Sequence, residues 1–293
     1  MLEKGKMRNK RKVFLESIVV ISLGLLIWAL WGNKALELNT YIIESGYLPK
    51  GFDGYRIVHV SDLHNTEMGA DNTKLLTMIQ SAEPDLIAIT GDLIDSRSTD
   101  VEVALQFAKD AVKIAPVCYV TGNHEARVSV YSKLKEGLIN LGVEVLEEEC
   151  LEILQSGDTI SILGVDDPSF QTTSLLGNTD ILMESTLQKL VSDNENYKIL
   201  LSHRPELYDT YVRYGIDLIL CGHAHGGQFR VPWIGGLIAP DQGLFPKYDA
   251  GVFFTGRTNM VVSRGIGNSI LPLRINNRPE VILLELKNSQ EKK

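Results

Sequence analysis

The sequence predicts an α/β domain built on a sheet covered on both faces, and three observations carry that prediction. Short apolar, β-rich runs alternate with segments of helical periodicity, the pattern of strands connected by covering helices. Almost every buried run hands over to a polar cluster, as strand ends do where an open sheet binds a ligand. No Pro-, Gly- or Ser-rich linker divides the body of the chain, so it reads as one unit. At 293 residues, 44% hydrophobic and 23% charged, the chain can bury a large core, while three cysteines are too few for a disulfide framework.

Residues 1–12 form a basic flank in which Lys4, Lys6, Arg8, Lys10, Arg11 and Lys12 face only Glu3. Residues 13–31 follow with one charge, Glu16, in 19 positions. At 1.5 Å per residue that helix matches a hydrocarbon layer of roughly 30 Å. The basic flank predicts a cytoplasmic N-terminus, a single-pass anchor in the cell membrane and an extracytoplasmic body; Trp28 and Trp31 suit the far interface. A cleaved signal peptide needs a small-x-small site, which Ala29-Leu30-Trp31 does not supply. Arg11-Lys12 resembles a twin-arginine export signal with lysine in the second place. From Gly32 onward 23 basic residues face 35 acidic ones, a net charge of −12 that repels nucleic acid.

The domain is expected over residues 50–288. Strands are predicted at 55–61, 85–90, 116–121, 197–202 and 216–221, and helices at 72–82, 101–114, 130–141 and 180–191. Residues 143–154 and 159–165 read as consecutive strands, and 252–255, 259–263 and 281–286 as the last three.

Five clusters stand at strand ends: Ser61-Asp62-Leu63-His64, Gly91-Asp92-Leu93-Ile94-Asp95, Gly122-Asn123-His124-Glu125, Ser202-His203-Arg204-Pro205 and Gly222-His223-Ala224-His225. Singly, each has an ordinary explanation as a turn or helix cap. Together they hold five of the six histidines, leaving only His59, which reads as a buried strand residue. The i, i+2 spacing of Asp62/His64 and His223/His225 would place each pair on one side of extended backbone. Carboxylate, carboxamide and imidazole without thiolate suit Mn, Fe or Zn. There are more donors than one tetrahedral site can use, and two ions about 3.5–4 Å apart would use them.

The ordered series D-x-H, G-D-x-x-D, G-N-H-E, H-x-x-P and G-H-x-H resembles the calcineurin-like metallophosphoesterases over essentially the whole body. The resemblance implies a four-layer α-β-β-α sandwich preceded here by a transmembrane helix, with two divalent ions at one end. It implies that Asp62, His64 and His225 hold one ion and Asn123, His203 and His223 the other, with Asp92 bridging. His124 would be catalytic, stabilising charge or protonating the leaving oxygen, and Asp95 would orient an imidazole. Hydrolysis would proceed through a metal-bridging hydroxide. The substrate is expected to be a membrane or cell-envelope phosphoester, possibly lipid-linked, cleaved by a phosphodiesterase or pyrophosphohydrolase. Asp95 is followed by Ser96-Arg97 rather than Arg-Gly, which disfavours the protein phosphatases. The alternative is a non-catalytic, metal-loaded envelope module.

The segment 226–248 starts at a predicted ligand, so Trp233, Ile234, Leu237, Ile238 and Phe245 would either line the mouth of the site or pack beneath the segment. Arg204, Arg230, Arg257 and Arg264 are candidate phosphate clamps, Arg204 foremost because it follows His203. Cys118 and Cys221 read as small core hydrophobes.

Overall fold

The computed structural model describes residues 2–171, 179–192, 195–268 and 273–289. Its first element is a long helix, α1 (Leu2–Gly32), whose stretch Phe14–Gly32 has a mean hydropathy of 2.1 and only 6% of its residues buried. That is one helix long and apolar enough to cross a membrane.

The body holds two six-stranded sheets. The first has the order β1 (Glu37–Ser45), β16 (Glu280–Asn288), β2 (Arg56–Val60), β3 (Leu86–Thr90), β4 (Val117–Val120), β5 (Glu144–Val145). Strands β2 to β5 are parallel; β16 pairs antiparallel with β2 and parallel with β1. The second has the order β14 (Gly251–Thr255), β15 (Thr258–Val262), β9 (Leu218–Cys221), β8 (Tyr197–Leu201), β7 (Asp158–Gly164), β6 (Glu149–Gln155). Its four central strands are parallel and its two edge strands antiparallel.

Side chains that alternate between two covered faces explain why the central strands are apolar over most of their length. From the first sheet, Ile57, Leu86, Ala88, Cys118 and Val120 meet Ile160, Ile162, Ile199, Leu201, Leu218 and Leu220 of the second in one buried layer. The intervening residues Val58, Val60, Ile87, Ile89 and Tyr119 turn outward to α2 (Thr73–Ser81), α3 (Val101–Ala111) and α4 (Tyr131–Asn140). Those helices answer with Leu75 and Ile79, Phe107 and Ala108, and Leu134 and Leu138. On the far side, Leu163, Leu200, Ile219 and Cys221 pack on α5 (Thr179–Val191) and α6 (Tyr208–Arg213) through Met183, Leu187, Tyr208 and Tyr211. Three apolar layers between four structural layers make the expected α-β-β-α sandwich.

Several expectations change. The alternation alone suggested one sheet covered on both faces; there are two, each with helices on one face and the other sheet on its opposite face. Residues 143–154 are two strands, β5 and β6, in different sheets, separated by a turn in which Glu148 has φ +57°. β1 lies ahead of residue 50 yet pairs along its full length with β16, so the sheet begins before the expected domain boundary. The segment after His225 forms two small antiparallel hairpins, β10 (Arg230–Val231) with β11 (Gly235–Gly236) and β12 (Ile238–Ala239) with β13 (Gly243–Leu244).

Candidate metal centre

Five parallel strands deliver the site. Asp62 and His64 follow β2, Asp92 follows β3, Asn123 and His124 follow β4, His203 follows β8, and His223 and His225 follow β9. Parallel strands end on the same side, so polar turns from both sheets meet at one end of the sandwich. The two sheets are stitched there directly. His203 Nδ1 lies 2.7 Å from the Thr90 carbonyl, and the His223 amide donates to Asp62 at 3.1–3.2 Å.

The backbone at these ends is not extended. Asp62, His64, Asp92, His223 and His225 have φ of +52°, +47°, +52°, +67° and +47°. Each left-handed non-glycine residue costs about 1 kcal/mol or more, and such residues cluster at functional sites. Tight left-handed turns, rather than pleated i, i+2 geometry, therefore turn the side chains inward. Glycines make the close approach possible. A Cβ on Gly91, itself at φ +86°, would stand 2.6 Å from the Gly122 nitrogen and 2.8 Å from His203 Nδ1. On Gly222 it would fall 1.8 Å from Ser61 Oγ.

Asp62, His64 and His225 form one group whose donor atoms could hold an ion, and Asp62, Asp92 and His203 form a second. His64 Nε2 and His225 Nε2 are 3.2 Å apart, and lie 3.8 and 3.3 Å from Asp62 Oδ1. Asp92 Oδ2 stands between the groups, 3.6 Å from His64 Nε2 and 3.2 Å from His203 Nε2, where a bridging ligand would sit. Asn123 Oδ1 and His203 Nε2 are buried with no hydrogen-bond partner. With Nδ1 bonded to Thr90, the other ring nitrogen of His203, Nε2, faces the carboxylates. Unsatisfied buried acceptors beside two carboxylates fit a cation, so the residues present suit a pair of divalent ions.

The electrostatics agree. Burial alone would raise the carboxyls of Asp62 and Asp92, but His225, His64 and His203 hold both far below the usual range. Burial would lower His203, yet Asp92 and Asp62 push it up to about 10. A divalent ion held there would supply the positive charge that the carboxylates otherwise draw from His203, with release of a proton.

The remaining predicted residues are placed as follows. His223 lies beside His203, ring centroids 4.9 Å apart, but its Nε2 is 2.8 Å from Asp241 and 3.1 Å from Arg204 Nη1 rather than among the other donors. His124 stands against His64, 4.5 Å between ring centroids. The Ser96 backbone N–H donates to His124 Nδ1 at 2.9 Å, leaving Nε2–H free to donate. Burial pulls its imidazole down to about 4 despite Asp92. Asp95 is 3.5 Å from that Nδ1 and is gripped instead by Arg97, through Nε at 2.9 Å and Nη2 at 2.5 Å. The imidazole is thus oriented by a backbone amide, with the carboxylate behind it.

Of the clamp candidates, Arg204 bonds a predicted ligand side chain, His223, and its guanidinium is otherwise committed to carboxylates. It is bidentate to buried Asp167 at 2.5 and 2.9 Å, and its Nη1 meets Asp241 and His223. Arg230 pairs with Asp249, Arg264 with Glu37 and Glu280, and Arg257 with Asp217 at the opposite end of the strands. His59 is fully buried in β2, 2.7 Å from Thr90 Oγ1.

Three contributors escaped sequence reasoning. Asp241 arrives from the second hairpin without a motif. Glu125 was visible in the G-N-H-E series, but its task was not. Its buried carboxylate accepts from the amides of Asp92, Gly122 and Ile94 at 2.8–3.2 Å, tying two ligand-bearing turns together, and burial raises it to about 7. Arg274 is 2% exposed and donates to the carbonyls of Arg264 and Gly267. It holds a turn whose Gly267 amide donates to the Asp62 carbonyl at 2.6 Å.

Comparison with known proteins gives the same answer by another route. The metallophosphoesterase YkuE of Bacillus subtilis is 32% identical over 266 residues, 87% of this chain and 86% of its own length. The phosphodiesterase YaeI of Escherichia coli is 28% identical over 242 residues, 79% of this chain and 82% of its own. A transmembrane protein with a metallophosphoesterase domain from Bos taurus is 28% identical over 297 residues, 96% of this chain and 65% of its own. Among solved structures, TT1561 of Thermus thermophilus superposes with a TM-score of 0.50 at 14% identity, covering 72% of this chain and 90% of that one, a likeness of fold. A sequence model of the calcineurin-like phosphoesterases matches residues 55–227, from β2 through the last predicted ligand. With candidate ligand groups gathered from these turns at one end of the sandwich, the chain belongs to the calcineurin-like phosphoesterase family.

Proposed function

We propose that this protein is a dinuclear metal-dependent phosphodiesterase that works at a membrane surface. The observation that carries the reading is the meeting, at one end of the sandwich, of Asp62, His64, Asp92, His203 and His225, on strand-end turns shared with Asn123 and His223. In this reading Asp62, His64 and His225 hold one divalent ion and Asn123, His203 and His223 the other, with Asp92 between them. The ions, Mn, Zn or Fe, would polarise the phosphoryl group and activate water.

The protein's own residues do the rest. His124, its Nδ1 occupied by the Ser96 amide, presents Nε2–H as a donor to an oxygen gaining charge. Glu125 keeps the Asp92 and Asn123 turns in register. Arg204 fixes His223 and carries positive charge to the edge of the site, offset by Asp167.

Preference for a diester is supported by the similarity to the Escherichia coli phosphodiesterase. A membrane-associated substrate is supported by α1 and by a cavity of about 1020 Å³ between its last turn and the segment after His64, lined by Ile27, Leu30 and Trp31 on one side and Thr66 and Met68 on the other. The basic flank supports an extracytoplasmic body. Protease added to intact cells should then digest the body, and protection of the body would reverse the orientation.

The activity is tested on the full chain in detergent with Mn added, comparing bis-p-nitrophenyl phosphate with p-nitrophenyl phosphate, with and without chelator. Chelator-sensitive turnover favouring the diester is expected. Monoester preference would make it a phosphatase; two bound metals with no turnover of either would leave only a binding module.

A further inference from the structure

The two hairpins after His225 display large apolar side chains to the outside. Trp233 is fully exposed at the turn between β10 and β11, beside Ile234 at 63%. Leu244 and Phe245 are 72% and 65% exposed at the open end of the second hairpin, where the Phe245 amide donates to the Leu237 carbonyl at 2.9 Å. Trp233, Ile234 and Phe245 therefore do not pack beneath the segment, one of the two roles the sequence suggested for them.

The display is held rigidly. Trp233 and Phe245 have φ of +66° and +54°, conformations that bulky residues adopt only when the surroundings enforce them. Asp249 Oδ2 accepts from Arg230 Nη1 and from the Gly236 amide, and Gln242 exchanges two hydrogen bonds with the Tyr248 backbone, each at 2.9 Å. Asp241, at the turn of the second hairpin, points the other way and touches His223 and Arg204. The hairpins thus have a polar inner edge at the metal centre and an apolar outer edge.

What would cover that outer edge is indicated by the chain itself. The segment Arg274–Arg278 joins both the hairpins and the membrane helix. Phe229 bridges to Ile275, and the Arg230 amide donates to the Ile275 carbonyl. In turn, Asn33, just past α1, exchanges hydrogen bonds with the Arg274 backbone, and the Arg278 guanidinium lies 5.3 Å from the Trp31 ring centroid. One segment therefore ties the base of the first hairpin to the point where α1 would leave the bilayer. Exposed Lys247 flanks Phe245, giving the aromatic-and-cation rim of an interfacial surface.

We propose that these hairpins are a second membrane contact: Trp233, Ile234, Leu244 and Phe245 enter the lipid interface beside α1 and set the metal centre against the headgroup layer, where it meets phosphodiesters presented by the bilayer. The inference rests on the reading of α1 as a membrane anchor.

The test uses the full chain in proteoliposomes. Trp28, Trp31 and Trp233 are the three tryptophans of the sequence. The variant Trp28→Phe/Trp31→Phe leaves Trp233 as the sole emitter, and Trp28→Phe/Trp233→Phe leaves Trp31. In bilayers of lipids brominated near the carbonyl region, Trp233 emission should fall relative to unbrominated bilayers, with a blue-shifted maximum and protection from aqueous iodide. If Trp31 is quenched by the lipid and Trp233 is not, the hairpins do not dock and the proposal fails while the anchor stands. Shielding of Trp233 from iodide without lipid quenching would mean that a second copy covers the edge, which also overturns it. If neither is quenched, the anchor reading falls and takes the docking with it. Chelator-sensitive hydrolysis of the soluble diester by the same vesicles reports separately on the phosphodiesterase reading.

Discussion

At the scale of single residues, the site is governed by where hydrogen-bond capacity is already used. His203 spends Nδ1–H on Thr90, which in the proposed reading leaves Nε2 for a cation; His124 accepts the Ser96 amide at Nδ1, which in the same reading leaves Nε2–H for substrate. The two imidazoles have opposite polarity because their other nitrogens have opposite partners. This separates a ligand from a substrate contact more firmly than their sequence neighbours do. The prediction at this scale is that His124→Ala binds two metals as before but turns over at least ~10²-fold more slowly, the usual worth of an aligned polar group at the reacting atoms. Metal analysis alongside steady-state rates checks it; undiminished turnover would remove His124 from the mechanism.

At the scale of elements, the strand ends carry the function and the strands carry the stability. Each central strand is four to seven residues of almost uninterrupted apolar side chains, because both of its faces are covered. The left-handed turns that follow are strained, and glycines at the contacts between them relieve only the crowding. Gly91→Ala combines an unfavourable φ with a Cβ pressed into the backbone of Gly122 and against His203. It should destabilise the fold by about 1–3 kcal/mol, the range for enforced backbone strain, and weaken metal binding as the β3 and β4 turns separate. Denaturant unfolding and metal titration measure the two effects; a change in neither would show that the turns can move apart freely.

At the scale of the whole molecule, two sheets pack face to face so that turns from separate halves of the chain share one site. His203 and His223 come more than a hundred residues after Asp62 and Asp92, and only the sandwich brings them together. In the proposed reading the adjacent buried carboxylates and imidazoles would share two cations, so metal binding and folding would be linked. Saturating Mn at about a hundred times its Kd stabilises the native state by about 2.7 kcal/mol per site. For a body of this size that corresponds to a rise in Tm of about 5–10 °C, to be lost on chelation. Thermal unfolding of the full chain with and without chelator tests it, and coincident curves would argue against a preformed metal centre.

Much of this was legible in the sequence, and for a physical reason. The five clusters are local: the residues of each turn are contiguous, so their order and chemistry read directly, as does the apolar run of α1. Central strands were found because their uninterrupted apolar runs reflect complete burial. What the sequence did not reveal depends on contacts between distant segments. The edge strand β1 is only partly buried and has no strong pattern of its own; its pairing with β16 is what makes it a strand. The break between β5 and β6 falls where the chain crosses between sheets, inside what reads as one β-rich stretch. The Ser96 amide is a backbone donor and has no side-chain signature, and Asp241 and Arg274 look like any loop aspartate or arginine until the fold closes over them. The chain's own chemistry thus determined the class of reaction and the kind of ligands, because those reside in residue type and short spacing. Which atoms of the strand-end turns face one another, which way His124 is polarised and where the apolar hairpins point were decided only in the tertiary structure, because each depends on partners supplied from elsewhere in the chain.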